Sequence, residues 1–377
     1  MTEHASLTTA LHHQIVQVLE AAGGWIGFDQ FMSLALYAPG LGYYANRLPK
    51  FGQMPASGSD FVTAPELSPL FGQVLAAQVA EALEATGTDE VWEFGAGSGA
   101  LASQLLDALG ERVRVRRYTI VDLSGTLRER QQAALAAHAP KVQWLNALPE
   151  AMQGVIVGNE VLDAMPVKLL ARHGGDNDGV WHERGVTLVD GALAWADRPT
   201  ELRPPIRIPG PHNYLTEIHP QGAAFIATLA DRLLTSVRQG GKGGAAFFID
   251  YGFPESEYYH PQRHMGTVMC HRLHQSDDNP LADVGLKDIT AHVNFTGVAL
   301  AGQDAGLNVL GYTSQGRFLL NCGLVEAMER ASAPERIMAH KLLAEHEMGE
   351  LFKVVGFCTG APWAARGFAH GDRCHAL

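Results

Sequence analysis

The stretch Glu93-Phe94-Gly95-Ala96-Gly97-Ser98-Gly99-Ala100-Leu101 decides how this chain is read. It continues an apolar run, Glu90–Phe94, that is short enough for a buried strand. It leads into Leu101–Leu109, whose apolar residues recur at helical spacing. Glycines at a strand-to-helix turn let the backbone come close to a ligand, and the first amides of the helix have no partner of their own. Such a turn is a cradle for a nucleoside-type ligand.

Two parses of the turn are open. As G-x-G-x-x-A, Gly95, Gly97 and Ala100 match the variant dinucleotide fingerprint. As E-x-G-x-G-x-G, Glu93, Gly95, Gly97 and Gly99 match the first motif of S-adenosylmethionine methyltransferases. The charges differ between the two. A dinucleotide sets a pyrophosphate on the helix N-terminus, and a carboxylate at Glu93 would repel it. S-adenosylmethionine carries a cationic sulfur and an ammonium, which Glu93 suits. Asp122 closes the next strand candidate, Arg117–Val121, and can accept the ribose hydroxyls in either parse.

Outward from the turn the pattern repeats strand, loop and helix. Further strand candidates are Val142–Leu145, Gly154–Gly158 and Ala245–Tyr251, with helices at Ser124–His138 and Pro220–Arg238. Alternation of this kind implies a parallel sheet covered by helices on both faces. Beyond it the spacing predicts a helix over Asp288–Gly302, a strand Leu307–Tyr312, helices over 315–331 and 334–346, and a last strand Phe352–Cys358. Two insertions interrupt the series. Residues 167–215 hold a hairpin signal around Asp190-Gly191. Residues 253–287 are polar and rich in histidine, and read as loop. Upstream, Leu7–Glu20 and Phe28–Leu36 have helical spacing, and a helix follows Ser68-Pro69. The expected organisation is an N-terminal helical and lid segment (1–86), core (87–166), hairpin insertion (167–215), core (216–252), loop insertion (253–287) and core (288–377). Gly42-Tyr43-Tyr44, Phe61 and Thr63-Ala64-Pro65-Glu66 make residues 40–64 a candidate lid, with Thr63–Glu66 as a turn before the helix.

Four motifs in order give a resemblance. They are Phe61-Val-Thr-Ala-Pro-Glu-Leu-Ser-Pro-Leu-Phe-Gly72, Val157-Gly-Asn-Glu-Val-Leu-Asp-Ala-Met-Pro166, Ile249-Asp-Tyr-Gly252 and Asp288-Ile-Thr-Ala-His-Val-Asn-Phe295. Together with the glycine turn they resemble the MidA-like methyltransferase family over about Phe28 to Gly356. The resemblance implies an α/β, Rossmann-like class I fold with a seven-stranded sheet whose last strand is antiparallel. It implies S-adenosylmethionine as cofactor. It also implies a protein substrate methylated on arginine, because the family includes an assembly factor that dimethylates an arginine of a respiratory complex I core subunit; the alternatives are a methyltransferase for a small molecule or another side chain, and an assembly factor that binds the cofactor without catalysis.

Methyl transfer to a guanidinium needs carboxylates to hold the acceptor and polarise one nitrogen. Glu160 and Asp163, three apart after the fourth strand, would share a face of a helical turn. Asn159 offers an amide to the cofactor or the acceptor, and Asp250 ends the fifth strand on the same rim. An acid-rich helix N-terminus steadied by its dipole is the alternative for this group. Cys270-His271-Arg272-Leu273-His274 does not fit a standard zinc pattern, so an acceptor-site wall is expected there and no metal.

Composition agrees with a globular enzyme. The 377 residues are 46% hydrophobic and 18% charged, and 28 Lys+Arg against 40 Asp+Glu leave a net charge of −12. That balance is against a basic nucleic-acid surface or a polybasic membrane binder. No apolar run is long enough for a membrane helix. Cys270, Cys322, Cys358 and Cys374 are scattered, as in a reducing compartment, and a cytoplasmic location is expected.

Overall fold

The structure, a computed structural model, describes residues 3–46, 62–110, 112–122, 125–174 and 179–377. Its centre is a seven-stranded sheet: β1 (Glu90–Phe94), β2 (Arg117–Val121), β3 (Val142–Leu145), β4 (Gly154–Asn159), β5 (Gly244–Phe253), β6 (Asn308–Ser314) and β7 (Phe352–Cys358). The order across these seven is β3-β2-β1-β4-β5-β7-β6, and a two-residue strand, Val293–Asn294, pairs parallel with the end of β5 as an eighth. Neighbours from β3 to β5 are parallel, and β7 runs antiparallel to both β5 and β6. This is the sheet the motifs imply.

Period-two alternation splits each strand between two cores. Phe247 packs with the helices Leu70–Thr86 and Ala100–Gly110 on one face, while its neighbour Phe248 packs with Pro220–Arg238 on the other. Each of these rings is fully buried and contributes about 1.5–3 kcal/mol. With both faces covered, the exposed part of the central strands is their C-terminal rim, where Glu93, Asp122 and Asn159 stand.

The insertions are more ordered than expected. Around the hairpin, Ile26–Gly27, Val180–Val189, Lys168–His173 and Tyr214–Ile218 form a second, antiparallel sheet in that order, with Ala192–Pro199 beside Val180–Val189. Asp190 and Gly191 turn the hairpin with φ of 51° and 79°, as a primed turn requires. The strand Tyr214–Ile218, which spans the expected boundary at 215/216 between insertion and core, belongs to this sheet. The N-terminal segment divides: Leu70–Thr86 joins the main core, while Leu11, Ile15, Phe28, Phe31 and Met32 pack on Leu169 and Val186 of the second sheet.

Residues 253–287 are not simply loop. Met269–Arg272 pairs with Gln275–Asp277 and with Asp288–Thr290 in a three-stranded sheet. The helix expected from Asp288 begins only at Phe295, where the Asn294 side chain accepts the Gly297 amide as N-cap. The helix expected over 315–331 breaks at Gly323, which has φ 98°. Thr63–Glu66 is a helical turn, Ala64–Leu67, rather than a plain turn. The candidate lid falls partly outside the described residues, Phe61 included, as does Ser124. Among the described residues, no helix is long and apolar enough to cross a membrane.

Candidate active site

The C-terminal ends of β1, β2, β4 and β5 open onto a cavity of about 1120 Å³. That is more than one small ligand usually fills. Its lining comes from two groups of segments, which we call arms: the glycine turn with its neighbours, and Tyr37, Tyr44 and Asp288 with the stretch after Arg263; Asn159 and Glu160 line it as well.

The first arm is built on the glycine turn. Gly95, Gly97 and Gly99 have φ of 65°, 52° and 88°, values that side chains rarely adopt. A Cβ on Gly95 would come within 3.1 Å of Val161, and one on Gly99 within 3.4 Å of the Gln131 backbone. Glu93 is buried beside the turn and accepts the Tyr118 hydroxyl at 2.6 Å. Burial pushes its pKa up to about 7, against the lowering effect of that bond. Asp122 lines the same cavity and acts electrostatically on Glu93. Sequence reasoning passed over Gln131, which is fully buried. Its amide donates to Asp122 Oδ2 at 2.8 Å and to the Gly97 carbonyl at 3.0 Å. Trp144 Nε1 donates to its oxygen at 2.9 Å, which fixes the direction of the amide. Glu66, from the turn Ala64–Leu67, receives the Ser98 hydroxyl, and Gln104 donates to the Pro65 carbonyl at 2.8 Å. The segment before the main core is thus fastened across the glycine turn.

After β4 the sequence expectation needs correction. Residues 160–165 form a turn, not a helix, so no helix dipole faces Glu160 and Asp163. Glu160 itself has φ 53°. The turn is held by Asp250, which is buried beneath it and does not reach the cavity wall. Asp250 Oδ2 accepts the amides of Val161, Leu162 and Asp163 at 3.1, 2.9 and 3.2 Å. Burial and the charges of Asp163 and Glu160 raise its pKa, while the amides of Leu162 and Tyr251 act the other way. Its geometry is that of a brace, not a substrate-facing acid.

Glu160 does face the cavity, and Asn159 Nδ2 donates to it at 3.0 Å. Desolvation, with Asp163 next in importance, lifts its pKa to about 8. Asp163 also lines the cavity, and burial lifts it to about 6. Asn159 Oδ1 and Asp163 Oδ1 are buried and make no hydrogen bond within the described structure. Tyr251 and His292, which meet edge to face at 5.2 Å, close the side wall.

The second arm is lined by Tyr37, Tyr44, Asp288, Arg263, Met265–Met269 and His271. Tyr44 and Asp288 are separated by 244 positions, and no local signal joins them. His271 lies on the strand Met269–Arg272 and His274 in the turn beyond it, so the pair is on a hairpin, not a helix. His271 forms part of the cavity wall. Among the described residues no three His, Cys, Asp or Glu are grouped to hold a metal.

These residues fit S-adenosylmethionine. The glycine turn leaves room for close approach to the backbone, and Glu93, Asp122 and Asn159 stand on the cavity wall near it with the acceptor atoms that a ribose and a cationic group call for.

Residues 74–313 match a family described as "putative S-adenosyl-L-methionine-dependent methyltransferase". A crystal structure of a COG1565 superfamily member from Burkholderia thailandensis, bound to S-adenosyl-homocysteine, is 47% identical. It matches 100% of this chain and 99% of its own with a TM-score of 0.93. A native structure of a COG1565 superfamily protein from the same organism is 45% identical, with a TM-score of 0.88 over 100% of this chain and 99% of its own. More distant are two arginine methyltransferases named for NDUFAF7. The mitochondrial protein of Danio rerio is 24% identical over 97% of this chain and 92% of its own. The Caenorhabditis elegans homologue is 26% identical over 81% and 75%.

Proposed function

The chain belongs to this S-adenosyl-L-methionine-dependent methyltransferase family, and from that premise we propose that it methylates an arginine side chain of a protein. The observation that carries the proposal is the charge of the cavity. Glu93, Asp122, Glu160, Asp163 and Asp288 all line it, and Arg263 is the one Lys or Arg on its wall among the described residues. Burial raises the pKa of Glu93, Glu160 and Asp163 in the empty site, so a cationic cofactor and a cationic acceptor would each bring these acids into their ionised form on binding.

The cofactor supplies an electrophilic methyl group when bound. Gly95, Gly97 and Gly99 would admit it, Asp122 would take the ribose hydroxyls, and Glu93 would face its positive charge. Glu160, beside Asn159, would hold the acceptor nitrogen in line. A carboxylate kept in a desolvated site stabilises positive charge on that nitrogen more strongly than it could in water. Asp163 would fix the other side of the acceptor. Asp250 acts through the turn it braces. The methylated nitrogen can lose its proton to solvent, so no dedicated base is required.

The relatives named as arginine methyltransferases support the acceptor class, and the charge of the second arm agrees with it. The first acceptor to try is the complex I core subunit that the motif resemblance implies. Incubation with methyl-labelled S-adenosylmethionine, followed by peptide mass spectrometry, should place the label on arginine. Label on another side chain, or on a small molecule alone, would refute the arginine reading and leave the methyltransferase assignment standing.

A further inference from the structure

The second arm is shaped as well as charged. Asp288 is buried at the start of the strand Asp288–Thr290, and the Tyr44 hydroxyl donates to its two oxygens, each at 2.9 Å. Tyr37 stacks on Tyr44 with ring centroids 5.7 Å apart and planes 18° from parallel. The Tyr37 hydroxyl donates to the Ala164 carbonyl at 2.8 Å. The ring pair is therefore pinned at both ends, by the strand after the second insertion and by the turn after β4. That turn and the strand region are themselves joined, because the Ala291 amide donates to the Asp163 carbonyl at 2.9 Å.

Asp163 Oδ1 is the second observation. It is buried on the cavity wall, on a residue 6% exposed, and makes no hydrogen bond of its own, while the Tyr251 hydroxyl and the amides of Asp163 and Ala164 hold the carboxylate from its other side. A buried carboxylate oxygen left so is costly unless a ligand meets it. Asp163 and Asp288 both act electrostatically on Glu160 and on the Tyr37 and Tyr44 hydroxyls, so the acids share one space. Arg263 does not neutralise them from a free position; its guanidinium lies over the Phe253 ring, 3.7 Å from the centroid.

We infer that Asp163 and Asp288, with the Tyr37–Tyr44 ring pair, form a subsite for a guanidinium group. The inference rests on the methyltransferase reading and names the residues that choose the acceptor. A guanidinium is flat, weakly hydrated and edged with N–H donors. Its face suits an aromatic wall and its edges suit carboxylates. An ammonium is a compact, strongly hydrated point charge and uses only the second of these. A neutral urea group of the same shape lacks the charge. Asp288 is a specificity-determining residue in this account, and Tyr44 positions it.

The test titrates protein loaded with S-adenosylhomocysteine against blocked arginine, blocked citrulline and blocked lysine, followed by NMR or calorimetry. Arginine should bind best, with citrulline weaker by about tenfold or more, the scale of one charge-assisted contact. Asp288→Asn, which keeps a partner for the Tyr44 hydroxyl, should lower arginine affinity to a similar degree and leave S-adenosylhomocysteine affinity unchanged. Asp163→Asn should act in the same direction. Arginine and citrulline binding alike, lysine matching arginine, or both variants retaining the arginine preference would each overturn the inference. The affinity of the wild type for S-adenosylhomocysteine, read in the same experiment, separates that failure from failure of the methyltransferase reading itself.

Discussion

A side chain that touches no ligand can decide how well one is held. Gln131 ties Asp122 to the glycine turn through two hydrogen bonds and takes its own direction from Trp144. If Asp122 takes the ribose, Asp122→Ala removes contacts worth about 1.5–3 kcal/mol. S-adenosylhomocysteine should then bind about ten- to a hundredfold more weakly. Gln131→Leu should weaken it as well, but add little once Asp122 is gone. A double-mutant cycle by calorimetry measures that coupling. Independent, additive effects would mean that Gln131 only fills space. The sequence pointed to Asp122 because a strand-end acid has a fixed place in the pattern. It could not point to Gln131, whose role depends on where the helix Gly125–Ala134 comes to lie over the turn.

At the scale of elements, the turn after β4 matters most, and its strain is held by β5. A non-glycine residue in the left-handed region costs about 1–3 kcal/mol, yet Glu160 has φ 53°. Three consecutive amides satisfied by Asp250 Oδ2, and the Glu160 amide on the Ile249 carbonyl at 2.9 Å, leave the chain little alternative. Asp250→Ala leaves those three amides unpaired, at about 1–3 kcal/mol for each buried group. Thermal denaturation should show a clear loss of stability. Turnover should fall further than S-adenosylhomocysteine affinity, because Glu160 loses its support. An unchanged melting temperature would show that Asp250 does not brace the turn. Here the sequence misled in an instructive way. Glu160 and Asp163 at i and i+3 suggest a helical face, and only the pairing of the turn with β5 shows otherwise. The same applies to Asp288–Thr290, where apolar spacing suited a helix. The structure makes a strand there because Met269–Arg272 lies alongside to pair with it.

At the scale of the whole molecule, a cavity lined with acids makes stability depend on pH. Glu93, Glu160 and Asp163 have pKa values raised by burial to about 7, 8 and 6, from ordinary values of 4.5, 4.5 and 3.8. Tyr118 and Asp122 face Glu93; Asn159, Asp163, Asp288 and the Ala64 amide face Glu160. For an acid whose pKa is higher when folded, the folded state holds its proton longer. The stabilisation is full below the unfolded value and is lost as pH rises through the folded one. The ligand-free protein should therefore lose stability steadily from about pH 5 to pH 8, with the decline levelling above that. Glu160→Gln should flatten the decline and raise the melting temperature at pH 8. A wild-type curve that rises over this range would contradict the assigned shifts.

The central sheet was legible because buried strands read as short apolar runs between helices. The second sheet was less so, since its strands come from Ile26–Gly27 and from Lys168 to Ile218, and only the hairpin turn announces itself. The second arm of the cavity was hidden for a similar reason: Tyr37, Tyr44, Asp163 and Asp288 are brought together by packing between distant segments.

The account's central claim is that Glu160 serves the acceptor and not the cofactor. Glu160→Gln keeps the size and hydrogen bonding of the side chain and removes the negative charge that it would take on beside a bound cationic acceptor. Binding of S-adenosylhomocysteine and the rate of methyl transfer from S-adenosylmethionine should be measured on both proteins with one acceptor. The account predicts an affinity within a few-fold of wild type and a rate lower by about two orders of magnitude, the scale of losing one strong electrostatic contact. Loss of S-adenosylhomocysteine binding, or an unchanged rate of transfer, would contradict it.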